Sequence, residues 1–276
     1  MKNISFPSLD DRRRAWRAAA AAAALAGGCG LAQAQAFDAV RLYTLPAGGS
    51  QGLAGVAVIA GHEYLGSSER RTWVLPAIDY QWASGWFAGT ANGIGYRFAA
   101  PDKLQWGLRL TLDAGRSDND VPALFGMGAI PVRPELGAFL NFLITDEWFI
   151  TSSLRYGSGR DRDGIQVDLG AGYAVQLAPR WRLGAGAAAT YVNAAYMQAF
   201  YGVDATQAAA TGYAPYAPGA GWRDLRGTIA LTYFFDARWS LTGSMMLRAL
   251  QDGPKGSPVV DETMPWSGLL AVGYQF

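Results

Sequence analysis

The chain has one histidine and one cysteine among 276 residues, and charged residues make up only 16% of it. Each scarcity removes a class of chemistry. A single histidine, His62, excludes a histidine-rich metal site, and neither G-x-S-x-G nor H-E-x-x-H occurs in the sequence. A Ser-His or Asp-His hydrolase would have to use His62, which Glu63 follows, with Ser67 or Ser68 as nucleophile. The plainer reading, and the one preferred, is a loop-mouth residue at a water boundary. No catalytic residue, cofactor site or metal site is therefore assigned. Beyond the first few dozen residues no run of 18 apolar residues occurs, so no mature transmembrane helix is expected.

The N-terminus explains the lone cysteine. Asp10 and Asp11 precede the basic group Arg12, Arg13, Arg14 and Arg17, then an alanine-rich run spans 18–26 and Ala34-Gln35-Ala36 follows. A charged region, a short apolar region and an A-x-A site form the pattern of a secretory signal peptide. Cleavage is expected after Ala36, with Ala34 as the next choice, leaving 37–276 as one domain. Cys29 then leaves with the leader, and the mature chain needs no disulfide and carries no thiol chemistry. A lipoprotein reading at Leu25-Ala-Gly-Gly-Cys29 has poor spacing. Taking the leader's five basic and two acidic residues from 23 and 22 leaves 18 and 20. That balance gives no electrostatic footprint for nucleic acid.

Two-residue alternation of apolar and small or polar residues is what the sequence does have. It is clearest in the last eleven residues, where Phe276, Tyr274, Val272 and Leu270 share one face. Gln275, Gly273, Ala271 and Ser267 share the other, with Leu269 as its one apolar member. A closing barrel strand ends this way, and Tyr274 and Phe276 are the expected signal for the barrel assembly machinery. With this closing strand as the last, strands are predicted near 51–62, 72–82, 104–115, 132–144, 147–157, 164–178, 180–192, 223–236, 238–250 and 265–276. The segment 86–99 splits in two at Ala91-Asn92-Gly93, a hairpin signal.

The total is twelve, an even number as is usual for single-chain bacterial barrels, and, the tight 91–93 turn apart, short turns alternate with long loops as periplasmic turns and extracellular loops do. Tryptophans support the same phase. Trp86, Trp106, Trp148, Trp181 and Trp239 follow short turns, with Phe98, Phe142, Phe235 and Phe276 at their level. Trp73, Tyr156, Tyr191, Trp222 and Trp266 mark the opposite level. Two aromatic girdles bracket a lipid-facing band. The fold class predicted is an all-β, transmembrane, antiparallel up-and-down barrel in the outer membrane, in contact with lipid and lipopolysaccharide.

Counting faces turns Arg109, Asp113, Glu135, Arg155, Asp168, Arg226 and Arg248 inward. An ionised group on the lipid face would cost about 2–4 kcal/mol at mid-bilayer. These charges either line a solute-selecting pore or pair across the lumen and plug it, and both remain open here. Loop carboxylates Asp118, Asp120, Asp161, Asp163, Asp261 and Glu262 match no calcium-loop spacing.

The loop beginning at Asn193 runs Ala195-Tyr-Met-Gln-Ala-Phe-Tyr-Gly-Val203, then continues through Asp204 and Gly212 to Gly221. Asp204 can cap a short helix that Gly212 ends. With Glu63-Tyr-Leu-Gly-Ser67, Leu75-Pro-Ala-Ile-Asp-Tyr80, Asn92-Gly-Ile-Gly-Tyr96, Glu135-Leu-Gly-Ala-Phe139 and 252–260, this loop resembles the MipA/OmpV family of outer-membrane barrels. The signature residues are Tyr196, Met197, Gln198, Tyr201 and Gly202. The resemblance implies a non-enzymatic scaffold linking the murein transglycosylase MltA to a penicillin-binding protein in peptidoglycan growth. A small-solute diffusion channel or an adhesin is the alternative. The loop is expected either outside the barrel or folded into its mouth.

Overall fold

The computed structural model describes residues 49–98 and 103–276, so the expected leader and its cleavage site lie outside the described residues. Twelve antiparallel strands close into a barrel in which each strand pairs with its sequence neighbours and the last returns to the first. They are β1 (Gln51–His62), β2 (Arg70–Gln81), β3 (Trp86–Gly89), β4 (Gly93–Phe98), β5 (Leu104–Asp113) and β6 (Arg133–Leu143). Then follow β7 (Trp148–Ser158), β8 (Gly164–Ala178), β9 (Trp181–Val192), β10 (Gly221–Phe234), β11 (Trp239–Leu250) and β12 (Trp266–Gln275). The predicted split of 86–99 is present, and predicted strand ends differ from these by one or two residues, as fraying element ends do.

Closure leaves no free edge at the seam. Eight register pairs run from Leu53↔Gln275 to Ala60↔Gly268, and Gly52 and Phe276 exchange two backbone hydrogen bonds of 2.8 and 3.0 Å. A closed sheet satisfies its backbone groups internally, which lipid demands. The outer face is correspondingly apolar. Val74, Leu136, Ile229 and Leu270 are between 54% and 68% exposed, which no water-facing barrel wall would show so consistently.

Below this band the aromatic girdle is nearly continuous. Trp86 meets Tyr96, Tyr96 meets Phe98, and Phe98 stacks on Trp106 with ring centres 4.3 Å apart. Trp148–Tyr173, Trp181–Tyr233 and Trp239–Tyr274 pairs continue it round the barrel. Tyr156, Tyr191 and Trp222 are exposed at the opposite level. Trp73 does not join them: its side chain is buried and turns into the lumen. The reason is its company. Trp73 packs with Ala57, Ile59, Leu269 and Ala271, so β12, β1 and β2 present an apolar inner wall. Burial of this kind is worth about 1.5–3 kcal/mol per large side chain, which outweighs the interfacial preference of one indole.

At one end the chain turns in short links, while at the other it builds a second, loop-made layer. This layer contains α1 (Ala194–Tyr201), α2 (Ala205–Thr211), a 3-10 turn at Pro122–Leu124 and a helical turn at Asp252–Lys255. Asn193 and Asp204 cap the two helices. Asp204 does so in a capping box with Gln207, and Gly212 closes α2 at φ 77°. Leu124, Met127, Val203 and Val259 make the apolar centre of the layer.

Candidate functional site

The inner wall from β5 to β11 carries a connected set of charges, and alternation alone explains most of it. Glu135 on β6 is fully buried, accepting from Gln166 Nε2 at 2.8 Å, Thr111 Oγ1 at 3.2 Å and Arg155 Nη1 at 3.4 Å. Arg155 on β7 also donates to Asp168 on β8 at 3.0 Å and to the Gln166 side chain at 3.2 Å. Asp168 accepts from Thr190 at 2.7 Å and from Arg226 on β10 at 3.0 Å. Arg226 reaches Asp224 at 3.3 Å, and Asp224 in turn meets Arg223 Nε at 2.7 Å and Arg248 Nη1 at 3.9 Å. Acids and bases alternate around the wall, so each buried charge has a partner, as a low-dielectric interior requires.

Face counting turned seven residues inward; in the structure each is buried or half-buried, and five of them form part of this chain. Arg155, Asp168, Glu135, Arg226 and Arg248 belong to it. Arg109 donates to Ser153 Oγ at 2.8 Å beside the Phe139 ring. Asp113 accepts from the backbone of Gly115 and Gly159 at the rim.

Two central members, Arg223 and Asp224, escape the alternation rule. They are adjacent yet both buried, because the β9–β10 register shifts between Trp222 and Asp224. A bulge adds one residue to one strand and puts neighbours on the same face. The only hint in the sequence is an Arg-Asp pair directly after an aromatic that faces lipid.

Arg223 also ties the wall to the loop layer. It donates to the Tyr196 hydroxyl at 2.8 Å and to Gln166 at 2.8 Å. Tyr196 belongs to α1, where Tyr196, Met197 and Tyr201 pack on Val192 at the top of β9. The signature loop is therefore folded into the mouth of the barrel. Arg116 donates to the Phe200 carbonyl, Ser257 Oγ to the Tyr201 carbonyl at 2.6 Å, and Gln207 Nε2 to the Met127 carbonyl at 2.7 Å. Arg160 holds the Met127 and Gly128 carbonyls. Tyr216 and Tyr64 donate to Gly253 and Val259 carbonyls at 2.7 and 2.8 Å. Five loops thus interlock over the mouth. Burial, aided by the nearby Asp261, pushes the Tyr64 phenol up to about 12, and burial raises the Tyr201 phenol as well. Of the signature residues, Gln198 accepts from the Gly202 amide through its carbonyl, and Gly202 ends α1.

His62 is not at a water boundary. It is buried, with Nδ1 2.6 Å from the Ser67 carbonyl oxygen, a contact in which the imidazole donates. The Ser67 hydroxyl accepts from the Glu69 amide at 3.0 Å. This histidine braces a turn, and among the described residues it hydrogen-bonds no serine hydroxyl. The loop carboxylates remain dispersed: among the described residues no three His, Cys, Asp or Glu side chains converge to hold a metal ion.

Below the charged belt the described residues line two cavities of note. One of about 70 Å³ lies at mid-barrel beside Arg109, Asn141, Ser153 and Asp168. The other, about 350 Å³, lies between the strand ends that carry the short turns and the C-terminus.

Comparison with solved structures returns other barrels at low similarity. The translocator domain of the autotransporter NalP from Neisseria meningitidis is 15% identical, covering 94% of this chain and 98% of that one at a TM-score of 0.47. An outer membrane channel from Pseudomonas putida F1 is 12% identical with coverage of 86% and 98% at 0.46. The NanC porin is 11% identical with coverage of 79% and 98% at 0.45. A comparison with curated proteins returns no match. The family described as MltA-interacting protein MipA matches residues 54–276. With its lumen charges, its folded-in signature loop and this match over most of its length, the chain belongs to the MipA family of outer-membrane β-barrels.

Proposed function

We propose that this barrel is a non-conducting, non-catalytic docking protein, which offers its periplasmic rim to a murein transglycosylase and, through it, to a penicillin-binding protein. One observation carries the reading. The outer mouth is filled by α1 and its neighbouring loops, bonded to one another and to the buried charge chain through Arg223 and Tyr196, while the larger cavity lies at the other end. A lumen closed outside and recessed inside suits a protein that works on the periplasmic face. The family name, MltA-interacting protein, supplies the partner class.

The test is twofold. Single-channel recording of the refolded barrel in a planar bilayer is expected to be silent. A photo-crosslinker at Ser84 or Asp146, in the short turns, should capture a lytic transglycosylase in growing cells, whereas one at Asp118 in the outer loops should not. Steady conductance by the intact chain would instead establish the diffusion-channel alternative, which requires α1 to leave the mouth. Capture only at Asp118 would favour an adhesin.

A further inference from the structure

The periplasmic cavity is built like a ligand site. Its volume of about 350 Å³ falls in the roughly 300–1,000 Å³ range of small-molecule pockets. Its lining is divided by chemistry: Leu53, Ala77 and Ala271 come from the apolar wall, and Thr232, Ser240, Thr242 and Ser244 set hydroxyls on β10 and β11. Two charged side chains line it, Asp79 and Arg182, and their situations differ. Asp79 accepts from Gln81 Nε2 at 3.4 Å and Asn92 Nδ2 at 3.5 Å and shares its surroundings with Arg97. Arg182, between Gln176 of β8 and Thr232 of β10, has no carboxylate or hydrogen-bond partner among the described residues. Arg155, Arg223 and Arg226, higher in the same lumen, each meet a carboxylate.

A half-buried guanidinium presents planar donors that match a carboxylate or phosphate in pairs. An apolar wall beside it offers nothing to a fully hydrated ion but favours a tail. We propose that this vestibule binds, from the periplasmic side, a small organic anion with an apolar tail. Arg182 takes the carboxylate or phosphate, the hydroxyls of Ser240, Thr242 and Ser244 take further oxygens, and the tail lies on Leu53, Ala77 and Ala271. The site is separate from any protein docked on the rim, and its test does not depend on that partner.

Calorimetric titration of the full mature barrel in nanodiscs, with empty discs subtracted, would use octanoate, octyl phosphate and octylammonium as probes at pH 7.4. At least one of the two anions should bind saturably, and which of them binds tighter identifies the head group. Octylammonium should show only the empty-disc signal. Arg182→Gln should weaken anion binding by about tenfold or more, the loss expected for one charge-assisted contact. Ala271→Phe, which fills the tail site and keeps the cation, should abolish it. Retained folding of each variant is read from the heat-dependent gel mobility of the barrel. Equal binding of octanoate and octylammonium overturns the proposal, as does undiminished anion binding in folded Ala271→Phe or Arg182→Gln.

Discussion

Asp224 is the position where the buried charge chain can be tested most sharply. It is fully buried and lies within 2.7, 3.3 and 3.9 Å of guanidinium nitrogens of Arg223, Arg226 and Arg248. Asp224→Asn keeps the shape and removes the charge. Arg226 retains Asp168 at 3.0 Å, but Arg223 is left with the neutral Gln166 and Tyr196, and Arg248 with the Met246 sulfur at 3.3 Å. Removing one partner from a buried ion pair costs about 3–5 kcal/mol. An asparagine oxygen still accepts one hydrogen bond, so the lower end, about 3 kcal/mol, applies. At a urea slope of about 2 kcal/mol per molar, the unfolding midpoint should fall by about 1.5 M. The assay is tryptophan fluorescence of the barrel refolded in lipid vesicles, with Asp163→Asn, on an exposed loop, as a control that should move it little. Arg248→Met in the Asp224→Asn background should recover part of the loss, because it deletes a buried cation that no longer has a carboxylate. A midpoint for Asp224→Asn within about 0.3 M of the parent would refute the reasoning, since it would mean that the arginines are solvated and the lumen is wet.

Leu270, paired with Val58 and Gly243 in the middle of the β12 seam, faces lipid; Leu270→Arg should cost about 2–4 kcal/mol in the same urea assay. Asp204→Ala removes the capping box of α2, and hydrogen exchange over 205–211 should quicken by about fivefold, equivalent to about 1 kcal/mol. Tyr64 has a folded-state phenol pushed up to about 12 from the ordinary 10.0. Above pH 10 the unfolded chain releases this proton while the folded chain holds it, so the stability contributed is full below pH 10 and falls as pH rises toward 12. Absorbance titration at 295 nm should show a late phenolate step that Tyr64→Phe reduces; an unchanged late step would sink the assignment.

The strand plan was legible because a membrane barrel repeats one rule at each strand. An apolar residue every second position, aromatics at the ends and small or polar residues between them leave little freedom of phase, as in Ile165, Val167 and Leu169 against Gln166 and Asp168 of β8. The same rule hid what it does not govern. Trp73 obeys the alternation, but an indole at girdle height reads as interfacial unless its partners Ile59 and Leu269 are known to share its side of the sheet. Arg223 breaks the alternation through a bulge that pairing, not composition, creates. His62 reads as a rim residue because its partner is a backbone carbonyl five residues on. The loop layer was legible only in its caps, Asp204 and Gly212. Its insertion into the mouth depends on contacts such as Gln207 with Met127, eighty positions apart, which no local pattern encodes.

One irregularity in the wall ties sequence to architecture most directly. β3 has four residues and pairs with β2 only at Asp79, Tyr80 and Gln81, so the rest of β2 runs on beyond the hairpin. The Thr90 hydroxyl stands in for the missing strand: it donates toward the carbonyls of Pro76 and Ile78 at 2.9 and 3.0 Å and accepts from the Ile78 amide at 2.9 Å. Because the Ile78 amide and carbonyl point toward β3, alternation places the amide position of residue 76 on the same side. That is where a proline fits, since it has no N–H to donate and the ladder beyond Thr90 asks for none. Pro76 therefore follows from the short hairpin, and a longer β3 would demand a hydrogen bond that residue 76 cannot supply. The wall thins beside the apolar face of the lumen and away from the charge chain, so strand fraying should start at β3 and β4 while β8 to β11 hold the mouth closed.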